Sequence, residues 1–147
     1  MTPHRIAERD DTPSASASGW TRLFLAAGAL LGLLTVAMGA VVAHLPDRLL
    51  SAGGRGMLQN AVQMQGWHMA ALLACGLLAE RGGRLLRAAG LAFLFGIACF
   101  CAGVYALAFN GDRAWAHAVG HAAPVGGSVL MLGWLLLAAS CLVRRHR

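Results

Sequence analysis

The stretch LFLAAGALLGLLTVAMGAVVA, residues 23–43, runs for 21 positions without a charge. As a helix it would cover about 31 Å, the thickness of a bilayer's hydrocarbon core. A cleaved signal peptide is the competing reading. Its apolar core would be only about 7–15 residues long, and this run is longer and follows a 22-residue polar region. The spacing therefore predicts a retained membrane helix. Working outward, three further apolar blocks follow, Ala61–Ala79, Ala88–Phe109 and Ala122–Val143. The second is the weakest, because Gln63, Gln65 and His68 sit in its first half, and a membrane helix must find partners for such groups. Pro124 stands in the first turn of the fourth block, where a proline is tolerated.

Composition points the same way. The 147 residues leave room for one domain. They are 58% hydrophobic and 12% charged, about half the charged share of a soluble domain. The net charge of +6 raises the question of nucleic acid, but the basic residues flank apolar blocks and form no continuous patch. No nucleic-acid partner is expected. All 12 basic residues are arginine, a hint of a GC-rich bacterial genome. Cys75, Cys99, Cys101 and Cys141 each fall inside an apolar block without C-x-x-C spacing, so they read as small packing residues.

Residues 1–19 are polar, small and mixed in charge, and read as a disordered cytoplasmic tail. Residues 20–147 form one transmembrane domain with helices at about 23–43, 61–79, 88–109 and 122–143. Glu80 to Arg84 makes a tight turn, Asn110 to His121 a loop, and Pro46 to Leu50 a short interfacial helix ended by Gly53-Gly54. Orientation follows from arginines. The two ends and the second loop carry Arg5, Arg9, Arg22, Arg81, Arg84, Arg87, Arg144, Arg145 and Arg147, against Arg48, Arg55 and Arg113 in the other loops. The expected fold is all-α: a polytopic, antiparallel bundle of four transmembrane helices in the bacterial inner membrane, with both termini cytoplasmic.

Helices in lipid associate through close backbone approach and interhelical hydrogen bonds. Gly28 and Gly32, continued by Thr35, Gly39 and Ala43, and then Ala92 and Gly96, have the spacing for it. These small residues suit a closely packed bundle or, alternatively, a homodimer surface. The expected partners are accordingly the bilayer and other membrane proteins or a further copy of the chain.

The expected topology gathers polar residues at the outer end. His44 closes the first helix, Gln65 and His68 share a face of the second, and Tyr105 lies near the end of the third. Pro124, Gly126 and Gly127 open the fourth. Polar groups at such depth seek one another, with His68 placed to bond Tyr105 or His44. The group reads as a hydrogen-bonded clasp or, alternatively, as a small-molecule, quinone, lipid-headgroup or metal site. A metal or haem centre would draw on His44 and His68, with His117 and His121 at i, i+4. The latter pair lacks an acidic residue between its histidines. No cofactor is expected. The six acids lie outside the apolar blocks, and neither G-x-S-x-G nor a phosphate-cradling loop occurs, so no enzymatic activity is expected.

Four stretches together resemble a known family. Gly39-Ala40-Val41-Val42-Ala43-His44 resembles its G-A-F-G-A-H pattern, and Ala61-Val62-Gln63-Met64-Gln65-Gly66-Trp67-His68 its second-helix motif. Phe100-Cys101-Ala102-Gly103-Val104-Tyr105 is similar to F-S-G-S-L-Y. Ala123-Pro124-Val125-Gly126-Gly127, with Gly133-Trp134, resembles T-P-x-G-G and G-W. The family is domain-of-unknown-function family 423, which takes in the eukaryotic transmembrane protein 256. The resemblance implies a four-helix inner-membrane protein without an assigned biochemistry. Cys101, Gly103 and Ala123 stand where the pattern has hydroxyl residues, and His117 and His121 lie outside it.

Overall fold

Ser18 opens the first helix. Its Oγ accepts the Thr21 N–H at 3.3 Å, satisfying one of the orphan donors of a helix N-terminus. Its own N–H donates to Glu80 Oε1 at 3.2 Å. The start of the chain's first helix is thereby tied to the turn after its second. The computed structural model describes residues 17–143. The tail expected over residues 1–19 thus lies outside the described residues up to position 16, as do Arg144, Arg145 and Arg147.

The described residues form α1 (Gly19–His44), a 3₁₀ turn (Asp47–Leu49), α2 (Gly54–Leu78), α3 (Arg84–Asn110), α4 (Ala114–Gly120) and α5 (Ala122–Leu142). All regular structure among them is helical, as expected. Three stretches are long and apolar enough to cross a membrane: α1, α3, and α4 with α5 taken together. α2 does not qualify on composition, since Arg55, Gln59, Asn60, Gln63, Gln65 and His68 all lie on it.

Two boundaries differ from the apolar blocks. α2 begins at Gly54 rather than Ala61, after Gly53, whose φ of 72° is the left-handed conformation that glycine adopts without strain. Hydropathy marks what can sit in lipid, not what can be helical, so the polar first two turns of α2 escaped it. The loop expected from Asn110 to His121 contains the helix α4. α4 and α5 are separated at His121 because Pro124 has no N–H to offer the Gly120 carbonyl, and its ring crowds that oxygen.

α1 packs on α2, α2 on α3, and α3 most extensively on α5. α1 meets α3 near the end that carries the α2–α3 turn, where the Phe24 ring lies against Gly90. There the Arg87 guanidinium rests 5.9 Å from the Trp20 ring centroid, close enough for a cation–π contact that compensates its unpartnered Nε.

Glycines set the helix spacings. A Cβ at Gly28 would stand 2.4 Å from Leu73 Cδ2, and one at Gly76 would stand 2.9 Å from Leu25 Cδ2, so α1 and α2 each receive the other's leucine. The α3–α5 seam is tighter still. A Cβ at Gly126 would fall 2.4 Å from Phe100 N and 2.8 Å from Gly96 O, both backbone atoms. This is the close approach by which helices associate in lipid. By contrast Gly39, also in the spaced series, has nothing within 4 Å. Leu30, Leu33 and Val36 on α1 are exposed, and only Phe24 and Gly28 of that helix are buried.

Candidate functional site

Polar side chains meet where α1, α2 and α3 face each other. Gln65 is 1% exposed, a location that costs free energy unless its amide is satisfied. Its Nε2 donates to Leu31 O and to Thr35 Oγ1, each at 3.0 Å, and its Oε1 accepts from the Tyr105 hydroxyl at 3.0 Å. Thr35 Oγ1 in turn donates to Leu31 O at 2.7 Å. Both amide hydrogens and the amide oxygen are therefore engaged, and one residue of α2 joins the helices on either side. Glutamine suits the position because it carries two donors and an acceptor on one planar group.

His68, one turn further along the same face, is 6% exposed and does not join this network. Its Nδ1 lies 2.7 Å from the Met64 carbonyl on its own helix. The ring packs between Phe93 and Trp134, with centroids 6.0 Å from each, and those two are edge to face at 5.2 Å. The expected bond from His68 to Tyr105 or His44 is thus not made. The Met64 carbonyl is nearer, and Tyr105 is taken by the longer Gln65.

The other expected residues are dispersed. His44 is exposed at the end of α1, and Pro124 is exposed in the first turn of α5. Gly126 is buried against the α3 backbone, and Gly127 is half-buried beside Phe100. His117 and His121 are exposed, and a nitrogen of His117 lies 2.9 Å from the Gly111 carbonyl. The alternative metal centre of His44, His68, His117 and His121 does not assemble: among the described residues no three His, Cys, Asp or Glu side chains gather as an ion would require. A buried ring on α2 and exposed rings on three other segments cannot converge.

Three further residues have structural roles that spacing does not mark. Thr35 belongs to the series of small residues on α1, but it is also the sole polar side chain between Arg22 and His44, and that isolation signals its role. Arg55 pairs with Asp47 at 2.7 Å and also donates to the Val42 and Leu45 carbonyls. It caps the C-terminus of α1 from α2. Ser51 does the same for α3, its N–H reaching Ala108 O at 2.9 Å and its Oγ reaching Leu107 O at 2.6 Å. The end carrying these loops is thereby braced by side chains that satisfy orphan carbonyls.

Of the three hydroxyl positions that this chain lacks, 103 and 123 meet across α3 and α5, while 101 faces α2. A Cβ at Gly103 would stand 3.0 Å from Ala123 N and 3.1 Å from Ala123 Cβ. Cys101 Sγ lies 3.7 Å from Ala61 O, a weak contact in place of a hydroxyl bond.

Known proteins place the chain. The sequence model of the family described as "Protein of unknown function (DUF423)" matches residues 38–127. The chain is 32% identical over 115 residues to a UPF0382 membrane protein of Haemophilus influenzae, covering 78% of this chain and 90% of that one. It is 31% identical over 116 residues to a UPF0382 membrane protein of Staphylococcus saprophyticus, covering 79% and 93%. Over 118 residues it is 30% identical to the UPF0382 inner membrane protein YgdD of Escherichia coli K12, covering 80% and 87%. No solved structure matches. The matched segment contains the motif stretches from Gly39 to Gly127, all but the Gly133-Trp134 pair, and with them Gln65 and Tyr105; this chain is an inner-membrane protein of the DUF423 family.

Proposed function

We propose that the protein is a non-catalytic, structural or accessory component of the inner membrane, built as four spans with both ends in the cytoplasm. The observation that carries this reading is the closed network around Gln65. Thr35, Gln65 and Tyr105, from α1, α2 and α3, spend their hydrogen-bonding capacity on one another and on Leu31 O, which is what a clasp requires and a reactive site does not.

The fourth span is α2. Its 25 residues reach about 37 Å as a helix. It lies along α1 through Thr35–Gly66, Gly28–Leu73 and Leu25–Gly76, and along α3 through Ala61–Cys101 and Gln65–Tyr105. A helix in register with two spans over most of its length crosses with them. The arginine distribution favours ends inside. The exposed apolar face of α1 supports contact with lipid, and with other membrane proteins or a second copy.

Two experiments test the reading. An optical spectrum and elemental analysis of the purified, folded protein should show neither pigment nor stoichiometric metal; a coloured or metal-loaded sample overturns it. Reporters fused within Arg81–Arg84 and after Arg147 should report the cytoplasm, and one within Gly111–Arg113 the opposite side. A fusion after Arg147 active only outside the cytoplasm refutes the orientation.

A further inference from the structure

Beyond the ends of α1 and α3, loop residues enclose a cleft that the clasp does not use. Its volume is about 630 Å³, inside the range of about 300–1,000 Å³ common for small-ligand sites. Leu49, Met57, Leu107 and Phe109 line it with apolar surface, Ser51 and His117 add polar groups already bonded to backbone carbonyls, and Arg48 and Asp112 add one charge of each sign. Leu107 and Phe109 belong to the last turns of α3, an apolar span, whereas Arg48 and Asp112 stand past the helix ends. With α3 as a span, the cleft would lie across the boundary between hydrocarbon and headgroup zones.

Its two charges are available. Arg48 forms no ion pair among the described residues, and Asp112 meets only Arg113, at 3.7 Å with both side chains largely exposed. Such a contact contributes little. A neighbouring cleft of about 390 Å³ differs in this respect, because its charged pair, Asp47 and Arg55, is already joined at 2.7 Å.

We propose that the larger cleft binds the headgroup of a zwitterionic phospholipid of the phosphatidylethanolamine type. The phosphate lies against Arg48, the ammonium against Asp112, and the first acyl segments run along Leu107 and Phe109. Charge complementarity selects this occupant. An anionic headgroup without an ammonium would leave Asp112 facing its own sign of charge, and a simple cation would do the same to Arg48. A headgroup with both signs meets an opposite partner at each. The apolar wall calls for the acyl chains as well as the polar part. The site is independent of which leaflet this end reaches, and so of the orientation proposed above.

Native mass spectrometry of the detergent-purified full chain tests this, with phosphatidylethanolamine and phosphatidylglycerol of matched acyl chains. The wild type should bind the first about twofold more tightly, the factor one exposed ion pair supplies. Asp112→Asn should erase that preference, Arg48→Gln should weaken both lipids about twofold, and Arg84→Gln, at the opposite end, should change neither. Equal binding of the two lipids by the wild type overturns the proposal. So does a preference that survives Asp112→Asn in a variant melting with the wild type. Free phosphoethanolamine binding as tightly as the lipid would overturn the role of the acyl chains.

Discussion

Replacing Gln65 with Leu removes three hydrogen bonds, to Leu31 O, Thr35 Oγ1 and from Tyr105, each at 3.0 Å. Not all the partners are stranded equally. Leu31 O keeps the Thr35 hydroxyl at 2.7 Å, while the Tyr105 hydroxyl loses its acceptor. Interhelical hydrogen bonds in membranes average about 0.6 kcal/mol each by double-mutant cycles, with a maximum near 1.7. Leucine gains little in return, because lipid offers the unfolded helix equally apolar surroundings. Three bonds therefore give a loss of about 2 kcal/mol. For a chain of this size that lowers the melting temperature by about 6 °C. The assay is thermal unfolding in detergent of Gln65→Leu, Tyr105→Phe and the double variant. Tyr105→Phe alone should cost about 0.6 kcal/mol. In the Gln65→Leu background it should cost nothing, because the hydroxyl no longer has a partner to lose. Equal costs in both backgrounds would refute the bond, and an unchanged melt for Gln65→Leu would refute the clasp.

Three further outcomes follow from packing and capping. Gly126→Ala places a methyl 2.4 Å from the Phe100 nitrogen and should cost about 1–3 kcal/mol, whereas Gly39→Ala, with open space, should not lower the detergent melt and should raise it slightly, by the helix preference of alanine over glycine. Arg55→Gln uncaps α1 and breaks the Asp47 pair; amide exchange over residues 42–50 should quicken while the α3–α5 seam stays protected. Ser51→Ala removes the hydroxyl from the Leu107 and Ala108 carbonyls and should cost about 1 kcal/mol, read by the same melt.

Much of this architecture was legible from apolar run length, since about twenty apolar residues suffice to cross the hydrocarbon core whatever surrounds them. Leu23–Ala43, Ala88–Phe109 and Ala122–Val143 accordingly fall within α1, α3 and α5, give or take a residue at the last end. The first turns of α2 were not legible in this way. Gly54 to Asn60 is glycine-rich and polar, and its helicity depends on Gly53 and on contacts from distant residues such as Ala108. α4 hid for a related reason, being seven residues with exposed His117 on it. In the candidate site, Gln65 and Tyr105 could be named from sequence because polar groups stand out in apolar runs. Which group bonded which could not. His68 and Gln65 share a face, and only the helix spacing decides that glutamine reaches both neighbours while histidine turns back to Met64.

The break between α4 and α5 bears on how the molecule tolerates change in bulk. Val119 and Ala123, which flank it, are the atoms a side chain at Gly103 would press upon, at 3.2 and 3.0 Å. A continuous helix would have to move as a rod to yield those few tenths of an ångström, dragging Gly126 off Phe100. Here the missing Pro124 hydrogen bond separates the two segments, so Val119 belongs to α4, whereas Ala123, the nearer contact, belongs to α5 itself. Bulk added at the 103–123 contact is thus felt by the helix that carries the glycine seam, one turn before Gly126, and a small residue at both positions keeps that seam closed.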